Sequence, residues 1–172
     1  MPRYVALLRG VSPMNCKMAE LKACVEAAGY ANVKTLLSSG NLVLDTPRSV
    51  GEAALERKLE AAMLAGLGRS FYTIVRPQAA LQALLDADPF APFGLAADAK
   101  RVVSFLRAAP GEVPALPLGR GQAQIHAVRG REVLSAYRPG DDSPVFMALI
   151  EKAFGKDITT RTWDTVAKCA RA

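Results

Sequence analysis

Three short polar clusters hold the side chains best suited to bind an anion. Arg9 and Gly10 follow an apolar run, and Lys17 stands just before a helical pattern. Two cations on a flexible loop near a helix N-terminus suit a negative group, because the free N–H groups there add positive potential. The competing reading is a solvated loop with surface cations, since charged side chains are mostly exposed. Ser38-Ser39-Gly40-Asn41 offers hydroxyls and an amide that can hold a ligand, but the same residues are turn formers. Neither serine has a His or Lys partner at an informative spacing, so no serine nucleophile follows. In Thr160–Thr165, Arg161 beside a helix N-terminus suits phosphate or carboxylate. Structurally, Thr160 or Thr162 would cap that helix and Trp163 would dock it. The candidate ligand-binding set is therefore Arg9, Gly10, Lys17, Ser39, Gly40, Asn41, Arg161, Thr162 and Trp163.

The remaining reactive types give less. His126, the single histidine, alternates with Ala123, Ile125 and Ala127 in a strand pattern and is expected on its polar, exposed face. No partner carboxylate can be named for it as a general acid or base. Cys24 falls on an apolar helical stripe and reads as inert core. Cys16 lies in a loop beside Lys17 and is the cysteine to test for reactivity. Asp141-Asp142 sits in a PGDDSP stretch that turn chemistry explains. No metal-ligand cluster, phosphate loop or dinucleotide fingerprint is present, so neither metal nor cofactor is expected.

The elements that must carry these residues can be read from periodicity. Arg3–Leu8 is an expected strand, and Met18–Ala28 a helix with Leu21, Cys24, Val25 and Ala28 on one face and Gly29 at its end. Strands follow at Val33–Leu37 and Asn41–Asp45. A long helix spans Val50–Leu67 with Leu55, Leu59, Ala62 and Met63 inward. A fourth strand, Phe71–Val75, is stopped by Pro77. This βαββαβ order is the ferredoxin-like one. Both faces of the first strand are apolar, so the second face needs cover from the other half of the chain or from a partner subunit.

The second half is expected to begin with a helix, Gln78–Leu85, and a surface linker at 86–100. A strand follows at Arg101–Leu106, then a proline-rich stretch, Pro110–Leu118, with one helical turn. Strands Ala123–Val128 and Glu132–Tyr137 form a hairpin over Arg129-Gly130-Arg131. Helices at Pro144–Phe154 and Thr162–Ala170 complete it. The expectation is an α+β chain of two ferredoxin-like, βαββα-type halves with antiparallel sheets. The halves are 1–77 and 78–172, without a residue-level repeat between them.

Composition bounds the function classes. The chain has 172 residues, 51% apolar and 22% charged, which is globular rather than disordered. No apolar run approaches the roughly 20 residues of a membrane span, and none has the form of an export signal. Three widely spaced cysteines argue against a disulfide framework and point to a reducing cytoplasm. The net charge of +6 favours anionic partners. Residues 1–76 carry ten Lys and Arg against six Asp and Glu, and the remainder twelve against ten. The excess is therefore spread out, unlike a nucleic-acid-binding tail.

Taken together, Tyr4–Gly10 (YVALLRG), Lys17–Leu21 (KMAEL), Val33–Thr35 and Ser39-Gly40-Asn41 resemble the bacterial family known as domain of unknown function 1697. Thr160–Val166 (TRTWDTV) is similar to that family's T-x-R-N-W-N-T-V ending. Two positions depart from the family pattern. Val11-Ser12-Pro13-Met14-Asn15 stands where an I-N-V-G-G stretch is usual, which stiffens the loop. Thr162 stands where Asn is usual. The resemblance implies two ferredoxin-like halves and no particular activity.

Three function classes follow. The first is a binding module for a small anionic ligand or nucleotide, with the nine residues above as its site. The second is an RNA binder, as βαββαβ units can be. Here the central strands offer one tyrosine and no aromatic pair. The third is an enzyme whose reaction nothing in the sequence names.

Overall fold

The computed structural model describes residues 1–120, 122–138 and 142–172. Met1–Ala83 and Ala167–Ala172 form one compact unit, and Leu84–Val166 a second.

The elements of the first part of the chain are β1 (Arg3–Leu8), α1 (Met18–Ala27), β2 (Ala31–Leu36), β3 (Asn41–Asp45), α2 (Glu52–Leu67), β4 (Thr73–Pro77) and α3 (Gln78–Asp86). The sheet is antiparallel in the order β2-β3-β1-β4. The alternation in β1 places Tyr4, Ala6 and Leu8 on the helix side. There they share a core with Leu42, Leu44 and Val75 of the sheet, Leu21 and Val25 of α1, and Leu55, Leu59 and Met63 of α2. Each of these large side chains stabilises the fold by about 1.5–3 kcal/mol through burial. The helices end where the sequence can adopt a left-handed residue: Gly68, at φ +75°, donates its N–H to Leu64 O (3.1 Å). Val5, Leu7, Val43 and Ile74 alternate with the core residues of their strands and lie on the opposite face of the sheet.

The last residues of the chain are tied into this unit. Arg3 Nε donates to Ala172 O (3.2 Å), and Gln78 Nε2 donates to Cys169 O (3.1 Å) and Ala172 O (2.8 Å). Arg3 also pairs with Asp45 (2.7 Å), which accepts from Asn32 Nδ2 (2.7 Å) as well.

β4 runs two residues later than periodicity suggests and includes Pro77. The reason is its place at the sheet edge. Val75 turns its N–H outward, where Glu56 Oε2 accepts it (2.9 Å), and Arg76 Nη1 donates to Val75 O (3.0 Å). Two residues on, the N–H that proline lacks falls on the same outward side and costs no ladder bond. Glu56 is thus a buried carboxylate on a helix face that reads as apolar.

The second part contains a 3-10 turn (Ala91–Phe93), β5 (Lys100–Leu106), β6 (Leu118–Arg120), β7 (Ala123–Arg129), β8 (Glu132–Tyr137), α4 (Asp142–Phe154), β9 (Ile158–Thr162) and α5 (Trp163–Arg171). The antiparallel sheet has the order β6-β7-β8-β5-β9. With β6 set aside, β7-β8-β5-β9 repeats the first sheet's order, each strand counted in its own chain sequence. The proline-rich stretch and β6 stand where the first unit has α1. Phe146, Leu149 and Ile150 of α4 pack on Val102, Ile125, Val133 and Ile158.

Residues 86–100 are mostly exposed, but Phe90 within them is buried and packs edge to face on Phe93. Three expectations are corrected here. Pro110–Leu118 holds no helical turn. Thr160–Thr162 belong to an edge strand, β9, and the last helix starts at Trp163. β2 spans Ala31–Leu36 rather than Val33–Leu37, and Leu37, at φ +59°, belongs to the turn. The expected turn at Asp141 lies outside the described residues. Among the described residues no helix is long and apolar enough to cross a membrane.

Candidate functional site

Arg9, Gly10, Lys17, Ser39, Gly40 and Asn41 all lie in the first unit, at the end of β1 and the start of β3. Leu8 N–H donates to Gly40 O (2.9 Å), and Leu7 stands opposite Asn41. Asn41 is fully buried, and its Nδ2 donates to Leu36 O (2.9 Å) and Ser39 Oγ (3.0 Å), closing the turn. Gly40 sits at φ +85°, and a Cβ there would meet Val11 Cβ at 2.9 Å. Arg9 donates its backbone N–H to Tyr72 O (2.8 Å). The loop beyond it is closed by Asn15, whose Nδ2 donates to Gly10 O (2.8 Å) and whose Oδ1 accepts from Ser12 N–H (2.9 Å). Lys17 precedes α1 and accepts Leu21 N–H at its carbonyl (3.0 Å), with no side-chain cap.

Arg161, Thr162 and Trp163 lie in the second unit. Arg161 is buried on β9, and its Nη1 donates to Thr159 Oγ1 (2.6 Å) and Thr160 O (2.8 Å). Thr162 is the helix cap: its Oγ1 accepts Thr165 N–H (3.4 Å) and lies 3.0 Å from Thr165 Oγ1. Thr160 hydrogen-bonds Ser104 on β5 instead (2.9 Å).

Trp163 and Thr162 border an open cavity of about 520 Å³ whose wall also includes Lys100, Arg101, Tyr137, Asp98 and Asp164. Lys100 and Arg101 open β5, both exposed, and neither has an ion-pair partner among the described residues. Asp98 is neutralised by Arg138 (2.9 Å), which together with bonding from that guanidinium holds its carboxyl below the usual range. Trp163 is held from behind. Its ring meets Phe90 edge to face at 5.0 Å, Phe90 meets Phe93 edge to face at 6.1 Å, and Phe93 stacks on His126 at 4.6 Å. The linear segment PFAPFG thus supplies the middle of a four-ring chain. Two phenylalanines inside a stretch otherwise read as solvated were the available signal for it.

His126 is half-buried rather than exposed. It is the extra residue of a bulge: pairing runs Ile125↔Ser135 and resumes at Ala127↔Leu134. Its imidazole stacks on Phe93. Burial pushes its pKa down. Gln122, Gln124, His126, Tyr137, Arg138 and Ala99 share a smaller pocket of about 220 Å³.

The chain belongs to a family without an assigned activity. The family model for "Protein of unknown function (DUF1697)" matches residues 1–133. The fold has a solved counterpart, the conserved bacterial protein SP0830 from Streptococcus pneumoniae. It is 21% identical, with a TM-score of 0.70 over 99% of this chain and 97% of that one. No curated protein matches.

Within this DUF1697 member the family match ends before β9, so the Thr160–Val166 ending lies beyond the matched residues. In the Val11–Asn15 stretch, Asn15 takes over the loop closure described above. The cysteines line up with burial. Cys16 is buried and its thiol is pushed up chiefly by that burial, which makes it less reactive than its loop position suggested. Cys24 is partly buried, its thiol also pushed up by burial, and it donates to Ala62 O (3.0 Å). Tyr4, the one tyrosine on the central strands, is buried, with its hydroxyl bonded to Val50 O and Val50 N–H at 3.1 Å each. Among the described residues no group of three or more His, Cys, Asp or Glu is placed to hold a metal.

Proposed function

We propose that this protein binds a small anionic ligand, phosphorylated or carboxylated, in the cavity of its second unit. The observation that carries this reading is the pair of exposed cations, Lys100 and Arg101, without an ion-pair partner among the described residues, on a cavity wall shared with Trp163 and the capped start of α5. Each part supplies a defined contribution. Lys100 and Arg101 bring charge, and Arg101 brings a planar fork that matches an oxyanion. The N-terminus of α5 adds free N–H groups and a positive dipole end. Trp163, fixed edge-on by Phe90, offers an apolar wall against which a planar group can lie. A volume of about 520 Å³ falls within the range of about 300–1,000 Å³ typical of small-molecule sites.

Of the residues expected from sequence, Thr162 and Trp163 stay in this site. Arg161 supports it from behind, through the bonds that shape β9. The loop end in the first unit, with Arg9, Gly10, Lys17, Ser39, Gly40 and Asn41, is read as scaffold, because Asn41 closes its turn through Leu36 O and Ser39 Oγ and Asn15 closes the loop through Gly10 O.

The test is a thermal-shift screen at low and moderate salt with orthophosphate, phosphorylated sugars, organic acids, nucleotides and short single-stranded RNA. Native protein is run beside Arg101→Ala. Binding to the folded state alone raises Tm. A shift with a small anion that disappears in Arg101→Ala is the expected result. A shift that survives that substitution, or no shift with any anion, overturns the assignment. A shift confined to RNA and erased by salt transfers the charge to a nucleic-acid surface instead.

A further inference from the structure

Beside the cation-lined cavity lies the second pocket, and the two share part of their walls. Ala99 and Tyr137 belong to both walls. The Asp98–Arg138 ion pair has one partner in each wall. At about 220 Å³ the second pocket is smaller than a typical ligand site. It suits one end of a ligand, not a whole one.

Its chemistry also differs. Lys100 and Arg101 present charge to the first cavity. The second presents the amides of Gln122 and Gln124 and the imidazole of His126, with Arg138 already paired to Asp98. An amide carries a donor and an acceptor side by side, and a neutral imidazole carries one of each. These groups recognise an uncharged heteroaromatic edge rather than a second anion. The ring chain provides rigidity: Phe93 clamps His126 at an interplanar angle of 14°, and the same chain runs through Phe90 to Trp163. The two pockets are thus held to one aromatic scaffold.

We infer that the ligand is two-ended and of the mononucleotide class, with its phosphate at Lys100, Arg101 and the start of α5 and its base at Gln124 and His126. This rests on the proposed anion site and adds the identity of the group at the other end. The base has a planar edge for the amide and imidazole, the sugar spans the shared wall at Ala99 and Tyr137, and the charged end stays near the open mouth.

The experiment is isothermal titration calorimetry on the full chain with orthophosphate, ribose 5-phosphate and the four common ribonucleoside monophosphates. The variants are Gln124→Ala, His126→Ala and Arg101→Ala. Gln124 is exposed, so Gln124→Ala keeps the test intact if His126→Ala proves unstable. At least one monophosphate should bind ten-fold or more tightly than ribose 5-phosphate. Gln124→Ala should reduce that advantage at least three-fold and leave ribose 5-phosphate binding unchanged, while Arg101→Ala weakens both. If ribose 5-phosphate binds as tightly as every monophosphate, and only Arg101→Ala matters, the base subsite is wrong and the anion site stands. If no phosphorylated compound binds, the anion site falls and the subsite with it. A nucleotide advantage that Gln124→Ala and His126→Ala both leave untouched also overturns the subsite.

Discussion

At one end of the first sheet, Asn41 donates to Leu36 and Ser39 and Asn15 closes the loop behind Gly10. At one end of the second, Lys100 and Arg101 face an open cavity without an ion-pair partner among the described residues. Both ends are polar, and both carry arginine. In the first, Asn41 and Asn15 spend their amides on closing their own turn and loop, so these two positions are constrained by folding. In the second, Lys100 and Arg101 are exposed, so folding constrains them little. Polar loop residues that stand out in a sequence are as often the ones that make a turn possible as the ones that meet a ligand.

The contrast can be broken most sharply at Gly40. Alanine there places a Cβ 2.9 Å from Val11 and forces positive φ on a residue with a side chain. Overpacking and a left-handed backbone together should cost about 3 kcal/mol, read by urea denaturation. An unchanged midpoint would mean that this end is not committed to the fold. Asn41→Ala comes next. It leaves the Leu36 carbonyl and the Ser39 hydroxyl without the amide they share, and about 2 kcal/mol should be lost in the same measurement.

Acidification sharpens the other side. Because burial lowers the His126 pKa, the unfolded chain takes up that proton near the ordinary value of about 6.5 and the folded chain only at lower pH. Between those points the unfolded state binds more protons. Stability should therefore be unaffected by this residue above about pH 6.5 and fall as pH drops below it. In His126→Gln that part of the slope should vanish from a series of melts across pH 5–8; an identical slope would show that the imidazole is not desolvated by Phe93 and its neighbours. Smallest of all is Arg101→Ala. As an exposed side chain without an ion-pair partner among the described residues, it should change stability by no more than about 0.5 kcal/mol, whatever it does to binding. A larger loss would make it scaffold too, and the two sheet ends would then be alike.

Much of the first unit was legible in sequence. β1 and β3 fall at their expected residues because each is an apolar run closed by turn residues, and α2 ends at a glycine. What escaped is what an edge permits. β4 keeps Pro77 because its missing N–H points away from the ladder, and β9 hides in Ile158–Thr162, where threonines look like helix caps. Of the candidate site, Thr162 and Trp163 could be named and Lys100 and Arg101 could not. Two cations opening a strand carry no local pattern, and their meaning comes from the distant β8, β9 and α5 that complete the wall. His126 lies with Gln122 and Gln124, the residues that alternation groups it with; only its exposure differs, because the Phe93 ring covers it.

The two side chains that grip Val75 have a consequence for the protein in a crowded solution. An open sheet edge invites a strand from a neighbouring molecule, and chains stacking that way is how many proteins leave solution. At Val75 the N–H is taken by Glu56 and the carbonyl by Arg76, and Pro77 has no N–H to give. A stranger's strand arriving there would have to displace a carboxylate and a guanidinium together before forming its first bond. Along this border the protein carries its own stopper, built from residues that no ligand need ever touch.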